Sequence, residues 1–202
     1  LDNVLFVLTA DHGGLPLPEY VNEKGGKAGR INGSHFQEAL QWIDEECEER
    51  IGDTFYHRDG ANFFLDMEKL KKEGLSPDII YNIVNQYITN VDGIDKIAIK
   101  DSILQSKKDD KIILRIKNMI HRHKTPEIFP IVTHGYLYRS PYGTSHGSPY
   151  DYDTHVPLIF SREQFRSKKE ETNQATVNIA PTIAKYLGLQ IPSYCDGSPI
   201  DL

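Results

Sequence analysis

The sequence predicts an α/β fold, a sheet flanked by helices with a small α+β insert. Three observations carry this. Val4–Leu8 is a continuous apolar run rich in β-formers, the signature of a parallel strand covered on both faces. Val156–Phe160 is a second run of the same kind. Between them, residues 53–139 alternate strand-like and helix-like segments with a rhythm of their own.

Along the chain, Thr9–Gly14 falls at the C-terminal end of the first strand, the edge at which open α/β sheets bind ligands. Residues 15–33, dense in glycine and proline, read as a loop over that edge. A helix then starts at Ser34, which with Gln37 has the spacing of a capping box. Phe36, Leu40, Ile43 and Cys47 recur at helical spacing, and Glu45, Glu46, Glu48 and Glu49 form a solvated face. In the insert, strands are expected at Ala61–Leu65, Lys96–Ile99 and Glu127–Val132. Helices are expected at Met67–Glu73, after Ser76-Pro77, and at Ile112–His121, in the order of a split βαβ lobe. Residues 140–155 are rich in glycine, serine, proline and tyrosine, and Asn178–Thr182 opens a last helix closed by Gly188. The division that results is 1–52 with 140–202 for the main sheet and 53–139 for the insert.

The 202 residues suffice for one core, or one core with a small lobe. A net charge of −6 argues against a binder of nucleic-acid duplexes, and no apolar run approaches the roughly 20 residues that span a bilayer. Cys47 and Cys195, the two cysteines, sit in no CxxC and are expected to be free thiols. No initiator methionine or leader is present, and the first residues already read as a buried strand. The sequence is therefore expected to be a piece of something longer.

Asp11 and His12, side by side off a strand end, are donors that suit zinc, with manganese or magnesium as alternatives. Such a dipeptide also arises by chance; the strand before it and the two glycines after it strengthen the metal reading. His155, just ahead of the second apolar run, is either a further ligand or a structural histidine hydrogen-bonded to Asp151 or Asp153. A shared site requires its strand to run antiparallel to the first, and that direction is expected. His146, Asp151 and Asp153 are candidates for supporting the ligands, Asp151 and Asp153 by orienting His155 through its second ring nitrogen. His134 reads as a turn residue, and His121 and His123 as favourable charges at a helix end. Lys24, Lys27 and Arg30 read as a solvated loop, or as a lure for an anion.

In order, the segments T-A-D-H-G-G, A-G-R-I at 28–31, G-T-S-H-G-S-P-Y-D-Y-D-T-H-V-P-L-I-F and N-I-A-P-T-I-A-K-Y-L-G-L, with D-G at 196–197, resemble the C-terminal part of an alkaline phosphatase superfamily protein. The nearest branch resembles the bacterial zinc-dependent phosphatases with a threonine nucleophile, related to the type I phosphodiesterases and nucleotide pyrophosphatases. The resemblance implies an alkaline phosphatase-like sheet and a site of two divalent cations, most simply zinc, acting on a small phosphate ester through a covalent phospho-enzyme. It places Asp11 and His12 on the cation that activates the nucleophile and His155 on the other. It also implies that no catalytic nucleophile lies in this chain: the threonine or serine and the remaining ligands are expected upstream of Leu1, so the chain alone is expected to bind metal weakly and to hydrolyse nothing. Members of the family are usually exported. A sulfatase, a phosphonate-cleaving relative, or a non-catalytic module with a structural His/Asp cluster are the competing readings.

Overall fold

A computed structural model of the chain describes residues 4–138 and 141–202. The expected domain boundary at 139/140 lies outside the described residues. Among the described residues, eight strands and eight α-helices follow in chain order. They begin with β1 (Phe6–Leu8), α1 (Pro18–Glu23), β2 (Gly29–Arg30), α2 (Gly33–Ile51), β3 (Tyr56–Asp59) and β4 (Asn62–Leu65). Next come α3 (Met67–Lys72), α4 (Asp78–Ile88), β5 (Ile94–Ile99), α5 (Lys100–Gln105), α6 (Lys111–Met119) and β6 (Ile128–Val132). The last are β7 (Tyr136–Leu137), α7 (Asp151–Thr154), β8 (Ile159–Ser161) and α8 (Ile179–Tyr186). Two compact units result: Leu1–Asp11 with Val156–Leu202, and His12–His155.

In the smaller unit β1 and β8 pair antiparallel, with Phe6 opposite Ser161 and Leu8 opposite Ile159. The expected direction of the second strand is found. The expectation of a parallel β1 covered on both faces is not. Among the described residues β1 pairs with β8 alone, and Phe6 and Leu8 are 53% and 59% exposed. A short apolar run fixes neither the direction of a strand's neighbour nor how many of its faces are covered. Ile159 is likewise half exposed, so the second run is not the buried strand it reads as. α8 follows one 3-10 turn at Thr176–Asn178. Pro181 sits in its first turn, where the amide it lacks would have no partner inside the helix. Gly188, at φ 67°, ends the helix.

The larger unit is built on a four-stranded sheet in the order β3-β4-β6-β5. β6 runs antiparallel to both β4 and β5. β4 and β5 are therefore parallel, linked by α3 and α4 and separated by β6, which is the split βαβ arrangement expected of the insert. Pro130 is tolerated in β6 because β4 meets that strand only at Phe63–Ile128, leaving an open edge at the proline. α2 packs on α4, and Phe36, Leu40, Ile43 and Cys47 join Ile80, Ile83, Val84 and Ile88 in one core. The helical spacing of α2 thus marks its buried face correctly. Its cap is Asn32 rather than Ser34: the Asn32 side chain accepts from the Ser34 and His35 amides, at 3.0 and 3.2 Å.

The segment 15–33 is more ordered than a loop. It forms α1 and β2, and β2 pairs parallel with β7. Gly29 is required there, since the Tyr136 ring lies 2.6 Å from where a Cβ would stand. Lys100, 9% exposed, pairs with the Glu127 carboxylate and donates to Thr125 O at 3.1 Å. The other Glu127 oxygen accepts from the Leu65 amide at 3.0 Å, so this buried pair ties α5 to the sheet.

Candidate metal centre

The candidate residues divide between the units. Asp11 ends one segment of the smaller unit, and His12, His146, Asp151, Asp153 and His155 belong to the larger. Within the larger unit residues 13–15 meet the 144–153 segment. The Gly13 N–H donates to the Asp153 carbonyl at 2.8 Å, and the Leu15 N–H to the Ser145 carbonyl at 3.3 Å. The Thr144 hydroxyl bonds Leu15 O. A Cβ on Gly13 would run into the Tyr152 carbonyl oxygen, so only glycine allows this approach. Separated by more than a hundred positions, the two sequence motifs are brought against one another.

His12 stacks on His146, with ring centroids 3.5 Å apart and planes inclined by 12°. The His12 Nδ1 lies 2.7 Å from its neighbour's carbonyl, Gly13 O. A carbonyl can only accept, so Nδ1 carries the proton and the lone pair of the neutral ring sits on Nε2. That tautomer, fixed by a backbone carbonyl, leaves Nε2 as the ring atom suited to a metal, one of the two nitrogens through which histidines ligate.

His155 caps the short helix α7, its N–H donating to Asp151 O at 2.9 Å. It therefore follows a helical turn and stands four residues before β8. The two carboxylates expected to orient it are engaged elsewhere. Asp151 Oδ1 accepts from Lys111 Nζ at 2.7 Å and from Arg115 Nη2 at 2.6 Å. Hydrogen bonds from Lys111 and then Arg115 hold its carboxyl down to about 2. Asp153 Oδ2 accepts from the Ser148 amide at 2.7 Å and its hydroxyl at 2.6 Å. Asp153 is 5% exposed.

The sequence reading missed the groups that fasten this segment down. Arg115 on α6 also donates to Pro149 O at 2.8 Å, and the Tyr150 hydroxyl donates to Val132 O at 2.8 Å. These partners lie in the stretch read as an insert, far from the motifs they support, and only the basic character of α6 hints at the part it plays. His134 occupies a turn as expected, edge-on to Tyr150 and Tyr152. Arg30 is held by Glu19, Nε to Oε1 at 2.7 Å and Nη2 to Oε2 at 2.9 Å, and donates to Gly143 O at 3.0 Å. This bidentate pair holds the Glu19 carboxyl down to about 2.

The donor types and the His12 tautomer suit a zinc-like cation. Among the described residues, however, no three histidine, cysteine, aspartate or glutamate side chains gather into a metal-holding group. Cys47 and Cys195 are free thiols, as expected, and burial pushes the Cys47 thiol up to about 11. No helix among the described residues is long and apolar enough to cross a membrane.

No protein-family model matches the chain. Over 204 residues it is 26% identical to alkaline phosphatase PafA of Elizabethkingia meningoseptica, covering 98% of this chain and 36% of that protein. It is 25% identical over 203 residues to alkaline phosphatase PhoV of Synechococcus elongatus, covering 98% of this chain and 35% of the relative. Identity to a Myroides odoratus protein named calcium-transporting ATPase is 24% over 202 residues, with 98% and 36% covered. The chain thus spans little more than a third of the length of these relatives. The crystal structure of wild-type PafA superimposes with a TM-score of 0.80 at 23% identity, over 98% of this chain and 38% of that one.

Proposed function

Because the chain belongs to the alkaline phosphatase superfamily, we propose that it is the C-terminal part of a metal-dependent phosphoric-ester hydrolase. In this reading Asp11 and His12 hold one divalent cation and His155 a ligand position on a second, zinc being the best match to the donors. The bound cations supply charge stabilisation for an in-line displacement at phosphorus. The residues of this chain do the positioning. Gly13 O keeps the His12 proton on Nδ1, and His146 backs the His12 ring. Gly13 N–H pins the backbone just after His12 to the segment that leads into His155. The nucleophilic hydroxyl and the remaining ligands belong to a part of the protein outside residues 1–202.

The observation that carries the reading is the stacked pair of His12 and His146, which joins the T-A-D-H-G-G and G-T-S-H-G-S-P-Y segments in one place. The test is turnover of p-nitrophenyl phosphate by the longer parent protein with added zinc. Turnover that disappears in His12→Ala is expected, with none from the 202-residue chain alone. Turnover of p-nitrophenyl sulfate in place of the phosphate would transfer the assignment to the sulfatases. Ordinary enzymatic rates from the isolated chain would show that the nucleophile lies within it.

A further inference from the structure

The helix α7 is four residues long, too short to hold its own geometry, because ordering a single turn costs more than its hydrogen bonds return. Its direction is set from outside, and with it the point at which the chain leaves at His155. The Gly13 N–H holds the far part of the turn, at Asp153 O. The near end is held by α6. Arg115 divides its guanidinium between Pro149 O, at 2.8 Å, and Asp151 Oδ1, at 2.6 Å, so one planar group grips the backbone before Tyr150 and the side chain after it. The same Asp151 supplies the carbonyl that accepts from the His155 N–H, at 2.9 Å. α6 is a firm base for this grip. Asp110 caps it through the Ile112 and Ile113 amides, and Ile116, next to Arg115, is buried in a core with Phe129 and Ile131. Lys111, one turn before Arg115, reaches the same carboxylate oxygen at 2.7 Å, but its side chain is 59% exposed against 24% for Arg115. Water and salt therefore weaken the lysine's hold more than the arginine's.

We propose that Arg115 is a positioning residue for His155: the split βαβ lobe reaches through α6 to aim α7, and so fixes where the imidazole stands for the second cation. The proposal rests on the two-cation hydrolase reading above. Arg115 touches neither substrate nor metal in this account. It acts through Asp151 and Pro149, which explains why the carboxylate nearest His155 in sequence faces α6 instead of the His155 ring. The lobe is then part of the machinery of the site, not an appendage beside it.

The test uses the full-length parent, with zinc alone as the probe, in wild type, Arg115→Ala, Arg115→Lys and Arg58→Ala. Arg58 pairs with Asp44 in the same unit and controls for the loss of a half-buried ion pair away from α7. In calorimetry Arg115→Ala should weaken one zinc site about ten- to hundredfold, the effect of losing a supporting contact around a metal. Arg115→Lys should recover part of that loss, since an ammonium can meet Asp151 but lacks the fork that also takes Pro149 O. Arg58→Ala should leave zinc affinity unchanged. The His155 ring resonances of the zinc-free protein report the imidazole without metal or turnover. They should move in Arg115→Ala and stay in place in Arg58→Ala. Unmoved His155 resonances in Arg115→Ala, or zinc affinity equal to wild type, would overturn the proposal and leave the hydrolase reading intact. Equal weakening by Arg58→Ala would also overturn it, by reducing Arg115 to general stability. A wild type that binds no zinc, with His155 displaced in Arg115→Ala, would sink the metal reading and leave Arg115 as the residue that places His155.

Discussion

Replacing Gly13 with alanine probes the joint on which the candidate site depends. The new methyl group would meet the Tyr152 carbonyl, which is backbone and cannot rotate away. The two segments must part, and the 2.8 Å hydrogen bond from Gly13 N–H to Asp153 O goes with them. Overpacking of this kind costs about 1–3 kcal/mol, and the lost hydrogen bond about 1 kcal/mol. Gly13→Ala should therefore lose about 2–4 kcal/mol of stability in urea denaturation. The ring-current shifts that His12 and His146 impose on one another should collapse in the same variant. Stability within about 0.5 kcal/mol of wild type, the size of an ordinary surface change, together with unchanged histidine shifts, would refute the close approach of these segments.

Glu127→Ala strands the Lys100 ammonium in a mostly buried site and should cost about 3–5 kcal/mol in the same denaturation experiment; a near-neutral result would mean the pair is solvated. Glu19 titrates from its folded value of about 2 against an ordinary value of 4.5. Its pairing with Arg30 is fully present above the ordinary value and disappears as pH falls through about 2. Carboxyl NMR should show that low midpoint, and Arg30→Gln should return it towards the ordinary value; a wild-type midpoint near 4.5 would contradict the bidentate pair. Cys47, wholly buried and with its thiol pushed up to about 11, should react with a thiol reagent only at the rate of unfolding, whereas fast labelling of the native protein would place it at the surface.

The sequence discloses most where a single periodicity decides. The 3.6-residue spacing of Phe36, Leu40, Ile43 and Cys47 marks the buried face of α2 directly. Similarly, the segment order in 53–139 leads to the split βαβ sheet. β3 is hidden because Tyr56-His57-Arg58-Asp59 is half polar and lies at a sheet edge, although Asp59-Gly60, with Gly60 at φ 56°, is a hairpin signal. The direction of β1 is not legible because an apolar run carries no information about its partner. At the site, T-A-D-H-G-G and the His155 segment are visible as residue types, and the first is seen to meet Tyr152–Asp153. The destination of Asp151 is not legible, since proximity in sequence suggests His155 while the turn of α7 gives it to Lys111 and Arg115, about forty positions earlier.

The most direct measurement is a calorimetric zinc titration of the full-length parent, wild type against His155→Ala. Loss of a coordinating imidazole should lower affinity by more than the ten- to hundredfold typical of losing a supporting contact around a metal. Unchanged affinity and stoichiometry would contradict the account and leave Asp11, His12 and His155 as structural residues.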